Sequence, residues 1–313
     1  MSITMTGGMT FSGAFTIVPP PPSLKAIFGY GQISGTQSAI SNLVTNTGVI
    51  GNDVTGVGQA RTDLAAAGYG SDKAIFGYGV YNSSVYASMT NLVSNTGVVA
   101  TDTTGVGTSR AYLAAAGYGS SGQALFGYGR PLSGLRVSVT NKVSNTGVVA
   151  TDTAGVGSAR QELAAAGYGS DKAIFGYGQS DSGITSVTNL VSNTGVVGND
   201  VTGVGTVRQG LAATTYGTDK AIFGYGYNSN LSVTYSMNNL VSNTGVVATD
   251  TSGVGTQSAG FGRAAAGYGS SGQALFSYAG SPVNLVSNTG VVATNTTSVG
   301  TTRFFLAAAS YGS

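Results

Sequence analysis

The stretch that decides the fold is Asn91-Leu-Val-Ser-Asn-Thr-Gly-Val-Val-Ala100, which returns along the chain with small changes. Reading outward from it gives a unit of about fifty residues, present six times. Each unit runs K-A-I-F-G-Y-G, a variable stretch, N-L-V-S-N-T-G-V-V, A-T-D-T-T-G-V-G, and then Arg followed closely by L-A-A-A-G-Y-G-S. The opening element starts at Lys25, Lys73, Gln123, Lys172, Lys220 and Gln273. Self-similarity at this period marks a repeat architecture. Most of the sequence is then explained by the need to build one unit six times.

The ends of the array complement each other. The first K-A-I-F-G-Y-G has no A-A-A-G-Y-G before it, and the closing Ala307-Ala-Ala-Ser-Tyr-Gly312 has no K-A-I-F-G-Y-G after it. Pairing these two halves completes one shared unit, closes a ring and removes the exposed strand edges. The expected fold is therefore all-β: a six-bladed β-propeller over residues 23–313, closed by the C-terminal strand on the first blade, preceded by an N-terminal β-arm.

Composition agrees. Gly supplies 51 of 313 residues, charged residues are 8%, and His, Cys and Trp are absent. Gly, Thr, Val, Asn, Ala and Tyr dominate, a mix suited to short strands and tight turns. A net charge of +2 gives no electrostatic reason to expect nucleic acid. No apolar run is long enough to span a membrane as a helix, and no charged start with an apolar core reads as a signal peptide.

Four strands are expected per unit. In the second repeat boundary they are residues 113–119, 124–128, 141–144 and 148–153. The turns Gly-Ser-Asp-Lys or Gly-Ser-Ser-Gly, and Ser-Asn-Thr-Gly, supply residues that tolerate positive φ. The Ala and Gly of the first strand suit a crowded centre, and the Val, Ile, Leu and Phe of the others suit packing between neighbouring blades.

An Arg, then Ala-Ala, Gly-Tyr-Gly, a short apolar strand and a Thr/Asn turn resemble the Kelch type of propeller repeat over residues 24–313. The unit departs from that pattern in having Gly-Tyr-Gly rather than a Gly-Gly pair, and no Trp. Its V-A-T-D-T-T-G-V-G-T and A-A-A-G-Y-G-S phrases are also similar to repeats in structural proteins of environmental tailed bacteriophages. The first resemblance implies a propeller; the second implies a virion protein of tail-fibre or capsid-decoration type.

Residues 1–22 read differently. Ile3, Met5, Met9, Phe11, Phe15 and Ile17 alternate with small polar residues around Gly7-Gly8, as in a β-arm, and Pro19–Pro22 form a stiff spacer. An isolated hairpin is marginal in water, so the arm is expected to dock on another virion protein and act as the anchor.

With no His or Cys and a single Glu, Glu162, the chain lacks the commonest acid–base, nucleophilic and transition-metal-ligating residues. Asp recurs at one position of the unit, so neither an enzyme nor a cofactor is expected. Asp53, Asp102, Asp152 and Asp200 recur at one position of the unit, with Asp250 and then Asn295 following. Arg61, Arg110, Arg160, Arg208, Arg263 and Arg303 recur once each. Charges repeated this regularly read as structural, in ion pairs or backbone hydrogen bonds tying blades together. A Ca²⁺ loop would need a second carboxylate at close spacing, which no copy has. Gly117-Tyr-Gly-Ser-Ser-Gly122 matches a dinucleotide fingerprint in letters but lies between two strands with no helix following.

Recognition is expected where copies diverge: the stretch between second and third strands, and the pair of residues after each Arg. In a four-stranded blade both emerge at one end. That end carries Tyr81, Tyr86, Tyr112, Arg130, Arg136, Tyr227 and Tyr235, residue types common on adaptable recognition surfaces. The expected function is a non-enzymatic virion component in a multi-copy assembly, made in the host cytoplasm. Its variable face would attach to a host-surface glycan or protein, or decorate the capsid. The alternative is a free-standing carbohydrate- or protein-binding propeller, lectin-like or Kelch-like.

Overall fold

The computed structural model describes residues 3–4, 10–11, 24–255 and 262–312. It is all-β, with 43% strand and no helix, arranged as many small antiparallel sheets. The third unit shows the plan. Ala114–Tyr118 pairs with Gln123–Gly127, which pairs in turn with Thr140–Val143. Side chains of Ala114, Ala116 and Tyr118 are buried and those between are half-buried, as the period-two alternation of a strand requires. The central strand is buried beyond its first residue, because sheets pack on both of its faces.

Six sheets share this plan. Their central strands are Lys25–Gly29, Lys73–Gly77, Gln123–Gly127, Lys172–Gly176, Lys220–Gly224 and Gln273–Ser277. In five of them the preceding strand is joined by a tight turn. In the remaining one the partner of Lys25–Gly29 is Ala307–Tyr311 from the far end of the chain, with Lys25 opposite Tyr311 and Gly29 opposite Ala307.

The fourth strand is weaker than the sequence suggests. Only Ile50–Val54 forms continuously. Elsewhere it is reduced to isolated bridges, such as Thr140 to Thr153 and Val143 to Val149. The register slips by one residue between those bridges, as in a β-bulge. The Asn141 side chain fills the gap: its Nδ2 donates to the Ala150 carbonyl at 3.0 Å and to Asp152 Oδ1 at 2.8 Å.

Apolar residues form six clusters, each spanning a boundary between consecutive sheets. One joins Ile75 and Tyr78 to Phe126 and Val143 of the following sheet. Another joins Leu275 of the last repeat to Phe28 and Val44 of the first. Close approach explains the Gly after Phe in five of the six central strands, Ser277 taking the place in the last: a Cβ on Gly127 would lie 2.7 Å from the Phe175 ring of the next sheet. Tyr128 follows with φ of 62°, a left-handed conformation costly for a bulky residue. It is held there from several sides, by an edge contact to Phe175 at 5.1 Å and by its hydroxyl donating to the Val156 carbonyl.

At one end of the sheets the constant turns bond to each other in sequence. Gly70 N–H donates to the Gly122 carbonyl, Gly119 to Asp171, Gly169 to Asp219, Gly217 to Gly272, and Gly269 to Leu24, all at 2.7–2.8 Å. Gly312 N–H then donates to Asp72 at 2.7 Å. Leu24 and Gly312 together stand where the sheet containing Lys25–Gly29 has no turn of its own.

Candidate functional site

The repeated Arg is built into the frame. Arg110 is fully buried and its Nε donates to the Tyr128 carbonyl, Nη1 to the Thr108 carbonyl, and Nη2 to Asn141 Oδ1 at 2.8 Å. Its guanidinium also lies over the Tyr78 ring of the preceding sheet, 4.3 Å from the centroid. One side chain thus ties two neighbouring sheets. The Asp partners are secondary. Arg61–Asp102 measures 3.2 Å, but Arg110–Asp152, Arg160–Asp200 and Arg208–Asp250 measure 4.0, 3.6 and 3.6 Å, with each Asp about one-third exposed. Asp53 pairs with Arg303, across the chain ends, at 3.8 Å. The close partner of Arg is in every case an Asn, namely Asn42, Asn91, Asn141, Asn189, Asn239 or Asn284, at 2.5–2.8 Å. That Asn is the first letter of the phrase that reveals the repeat.

These Asp carboxyls titrate low. Burial pushes the Asp152 carboxyl up, but bonds from Thr108 and Asn141 and the Arg110 charge outweigh it and hold it below its ordinary value. Asp53, Asp102, Asp200 and Asp250 behave alike. Arg263 departs from the sequence reading. It sits three positions later in its unit than the other arginines, in the position before the first Ala where they have a Leu. Its guanidinium nevertheless reaches the same place, over Tyr225 at 3.9 Å and bonded to Asn284.

The divergent residues gather at the end opposite the constant turns. Backbone bridges join Thr62 to Val80, Ala111 to Arg130, Gln209 to Tyr227 and Phe304 to Gln32, so each post-Arg pair lies against the variable stretch of its own sheet. Four of the variable stretches fold as short hairpins, among them Val80–Tyr81 with Val85–Tyr86 and Gln179–Ser180 with Gly183–Ile184. The sequence reading treats these as loops. In the third unit Pro131 directly after Arg130 has no N–H to pair, and only the Arg130 bridge remains.

Asp63, Tyr112, Glu162, Gly210, Gly262 and Phe305 occupy one point in six successive units, all at positive φ between 53° and 88°. Five of them are linked by four backbone bonds: Asp63 N–H to the Phe305 carbonyl, Tyr112 to Asp63, Glu162 to Tyr112, and Gly210 to Glu162, at 2.8–3.0 Å. Together with Leu64, Leu113, Leu163, Leu211, Leu306 and Arg263, these six line a cavity of about 110 Å³. Arg263 takes the position of the sixth leucine, and its head is drawn outward between Tyr225 and Tyr278.

Around this cavity the divergent residues bond across unit boundaries. Arg136 Nη1 meets Asp181 Oδ1 at 2.6 Å, and its Nη2 donates to Gln179 Oε1 at 2.7 Å. Gln161 Nε2 also donates to Gln179 Oε1, at 3.1 Å. The Tyr227 hydroxyl donates to Glu162 Oε2 at 2.5 Å, and Gln209 Nε2 to the same oxygen at 3.0 Å. Burial raises the Glu162 carboxyl above its ordinary value, although the bonds from Tyr227 and Gln209 pull against it.

Of the residues expected to read a partner, Tyr86 and Tyr112 line one side cavity of about 190 Å³ together with Gln37 and Asp63. Tyr81 lies half-buried on the same hairpin as Tyr86. Arg130 is half-buried beside Ala111. Arg136 and Tyr227 are committed to internal bonds. Tyr235 stands apart, in an outer groove with Met237 and Asp250. Asp63, Glu162, Gln161 and Gln209 complete the site and were marked in the sequence only as divergent pairs. Of the arm, Ile3–Thr4 pairs with Thr10–Phe11, Ile3 opposite Phe11. Met5, Met9, Phe15, Ile17 and Pro19–Pro22, and residues 257–261 of the fifth repeat, lie outside the described residues.

No protein-family model matches this chain, and no curated protein matches it at a significant level.

Proposed function

We propose that the six alike sheets are the blades of a closed six-bladed β-propeller and that the protein is a non-enzymatic recognition module reading its partner with the divergent end. The closure is supported by the pairing of Ala307–Tyr311 with Lys25–Gly29 and by the apolar cluster joining last repeat to first. One observation carries the recognition reading. Residues that differ between units are not scattered; they bond to one another across unit boundaries around a central cavity, while the constant turns bond together at the opposite end. Unselected drift would not keep Arg136, Gln179, Gln161 and Glu162 mutually complementary in charge and hydrogen bonding.

The setting we propose is a virion, with residues 1–22 as the attachment to other virion proteins and the divergent end turned toward a host-surface glycan or protein. It rests on the likeness of the repeat phrases to phage structural proteins. A free-standing binding propeller is the alternative, and the two differ in the arm. The test uses full-length protein and measures binding of labelled protein to cells and to a panel of envelope glycans. Tyr81→Ser with Tyr86→Ser should weaken binding at least tenfold with an unchanged melting temperature, because both are half-buried on one hairpin and belong to none of the six apolar clusters. Unchanged binding by that folded double variant, and by Arg130→Ala, would refute the divergent end as the reading surface. Deletion of residues 1–22 should abolish particle incorporation and spare cell binding; normal incorporation would leave the free-standing module.

A further inference from the structure

The central cavity has a composition that neither the repeat nor the fold requires. Its upper ring presents two carboxyls, a phenol and a phenyl, from Asp63, Glu162, Tyr112 and Phe305; its lower ring is five leucines and Arg263. A position that needs positive φ is filled most cheaply by Gly, as Gly210 and Gly262 do. Four units instead hold large or charged residues there in a strained conformation. Strain of that kind persists where the surroundings over-determine it, and it collects at binding sites.

The acids at this ring form no ion pair among the described residues, although the Arg136 and Arg130 charges pull the Glu162 carboxyl down from beyond pairing distance. Neither Asp63 nor Glu162 has a Lys or Arg within salt-bridge reach among the described residues. Arg263, the one cation on the lining, is held outward by Asn284 and two tyrosine rings. Two further acceptors beside Glu162, Gln161 Oε1 and Gln209 Oε1, are buried on residues only 5% and 3% exposed and have no donor. The site therefore offers carboxyls and aromatic side chains at its rim over an apolar floor. Glu162 Oε2 accepts from Tyr227 and Gln209 and Asp63 from Thr62, but neither acid is paired with a cation among the described residues.

We propose that this cavity binds a primary alkylammonium group, the ammonium on Asp63 and Glu162 beneath the faces of Tyr112 and Phe305, and the alkyl chain on the leucine ring. A cation satisfies the carboxylates and the aromatic quadrupoles at once. The size selects a short chain: about 110 Å³ is well below the roughly 300 Å³ at which drug-sized sites begin. Burial pushes the Asp63 carboxyl up to about 7; a bond from Thr62 opposes that rise and the Glu162 charge adds to it. An acid pair so placed gains most from a bound cation. The inference rests on the divergent end being the recognition surface, and it names the chemistry at that surface's centre: a lysine side chain of the partner, or a free small amine.

The test is calorimetry on the full chain at pH 7.5 with n-butylammonium, n-butanol and butyrate as probes. Butylammonium should bind, and the two controls should bind at least tenfold more weakly. Asp63→Asn and Glu162→Gln should each weaken butylammonium at least tenfold while leaving the melting temperature at or above that of the parent. Nα-acetyl-lysine methylamide distinguishes the sources: binding comparable to butylammonium supports a partner's lysine, and exclusion of it supports a free amine. Equal binding of butanol, tighter binding of butyrate, or unchanged affinity in both acid variants would overturn the proposal. Such a failure would leave the recognition reading untouched, because that is judged by the outer Tyr81 and Tyr86 variants.

Discussion

Replacing Arg160 by Ala removes a clamp rather than a surface charge. The side chain is fully buried, and its Nε, Nη1 and Nη2 donate to the Tyr177 carbonyl at 3.0 Å, the Ser158 carbonyl at 3.0 Å and Asn189 Oδ1 at 2.7 Å. Its guanidinium covers the Tyr128 ring at 4.7 Å. Hydrogen bonds to a charged donor contribute about 1.5–3 kcal/mol each, and a buried acceptor left without a donor costs about 1–3 kcal/mol. The ring contact adds about 0.5–2 kcal/mol. The Asp200 ion pair, at 3.6 Å with the carboxylate 31% exposed, contributes under about 1 kcal/mol because water screens it. Against these losses stands the desolvation that a buried guanidinium no longer suffers, so the net loss is about 3–5 kcal/mol. In a domain of this size that lowers the melting temperature by roughly 6–10 °C. Thermal and urea unfolding of Arg160→Ala, Arg160→Lys and Asp200→Asn provide the assay. Lys cannot fork to three acceptors and should recover little. Asp200→Asn should cost under about 1 kcal/mol. The last repeat already makes that replacement, where Asn295 Oδ1 accepts from Asn284 at 3.0 Å. If Arg160→Ala melts within 1 °C of the parent, or Asp200→Asn costs as much as Arg160→Ala, the Arg–Asn clamp is the wrong account.

Deleting residues 304–313 removes the partner strand of Lys25–Gly29 and should abolish cooperative unfolding; a truncated chain melting at the parent temperature would refute the closed ring. Gly127→Ala places a methyl 2.7 Å from the buried Phe175 ring and should cost about 1–3 kcal/mol by urea unfolding, whereas Gly134→Ala, with no atom near its Cβ, tests strain from its positive φ alone. Stability should fall on both sides of a mildly acidic optimum. The five Asp carboxyls held below 3.8 stabilise the fold above that value and lose their contribution as pH drops through their lowered range. Asp63, raised to about 7, has the opposite sign: its contribution is complete below 3.8 and is lost as pH rises through 7. Asp63→Asn should therefore flatten the melting temperature between pH 5 and 8, and a slope equal to the parent's would count against the burial of that carboxyl.

The repeated unit, the first three strands of each copy and the stretches in which the copies differ are legible in the chain alone. A phrase copied six times exposes its own pattern, and period-two alternation with Gly-rich turns has few structural solutions. The complementary ends of the array likewise point to the pairing of Ala307–Tyr311 with Lys25–Gly29. The clamp shows where this legibility stops. Arg and Asp stand out because they are rare charges, and the sequence reading gives them ion pairs or backbone hydrogen bonds; the backbone bonds are there, from Arg110 to the Tyr128 and Thr108 carbonyls. The tertiary structure gives the buried side-chain bond to Asn rather than Asp, because Asp lies toward solvent, where its charge is stabilised by water and by the turn beneath it. The Asn was visible only as a letter of the phrase, since nothing local announces a bond to an Arg about 30 residues away. Arg263 makes the same point: its spacing breaks the repeat, yet its length lets it reach the same ring and the same Asn. The central cavity was decided by tertiary structure alone. Asp63, Tyr112, Glu162 and Phe305 are each about fifty or more residues from the next, and only the succession of sheets brings them to one ring.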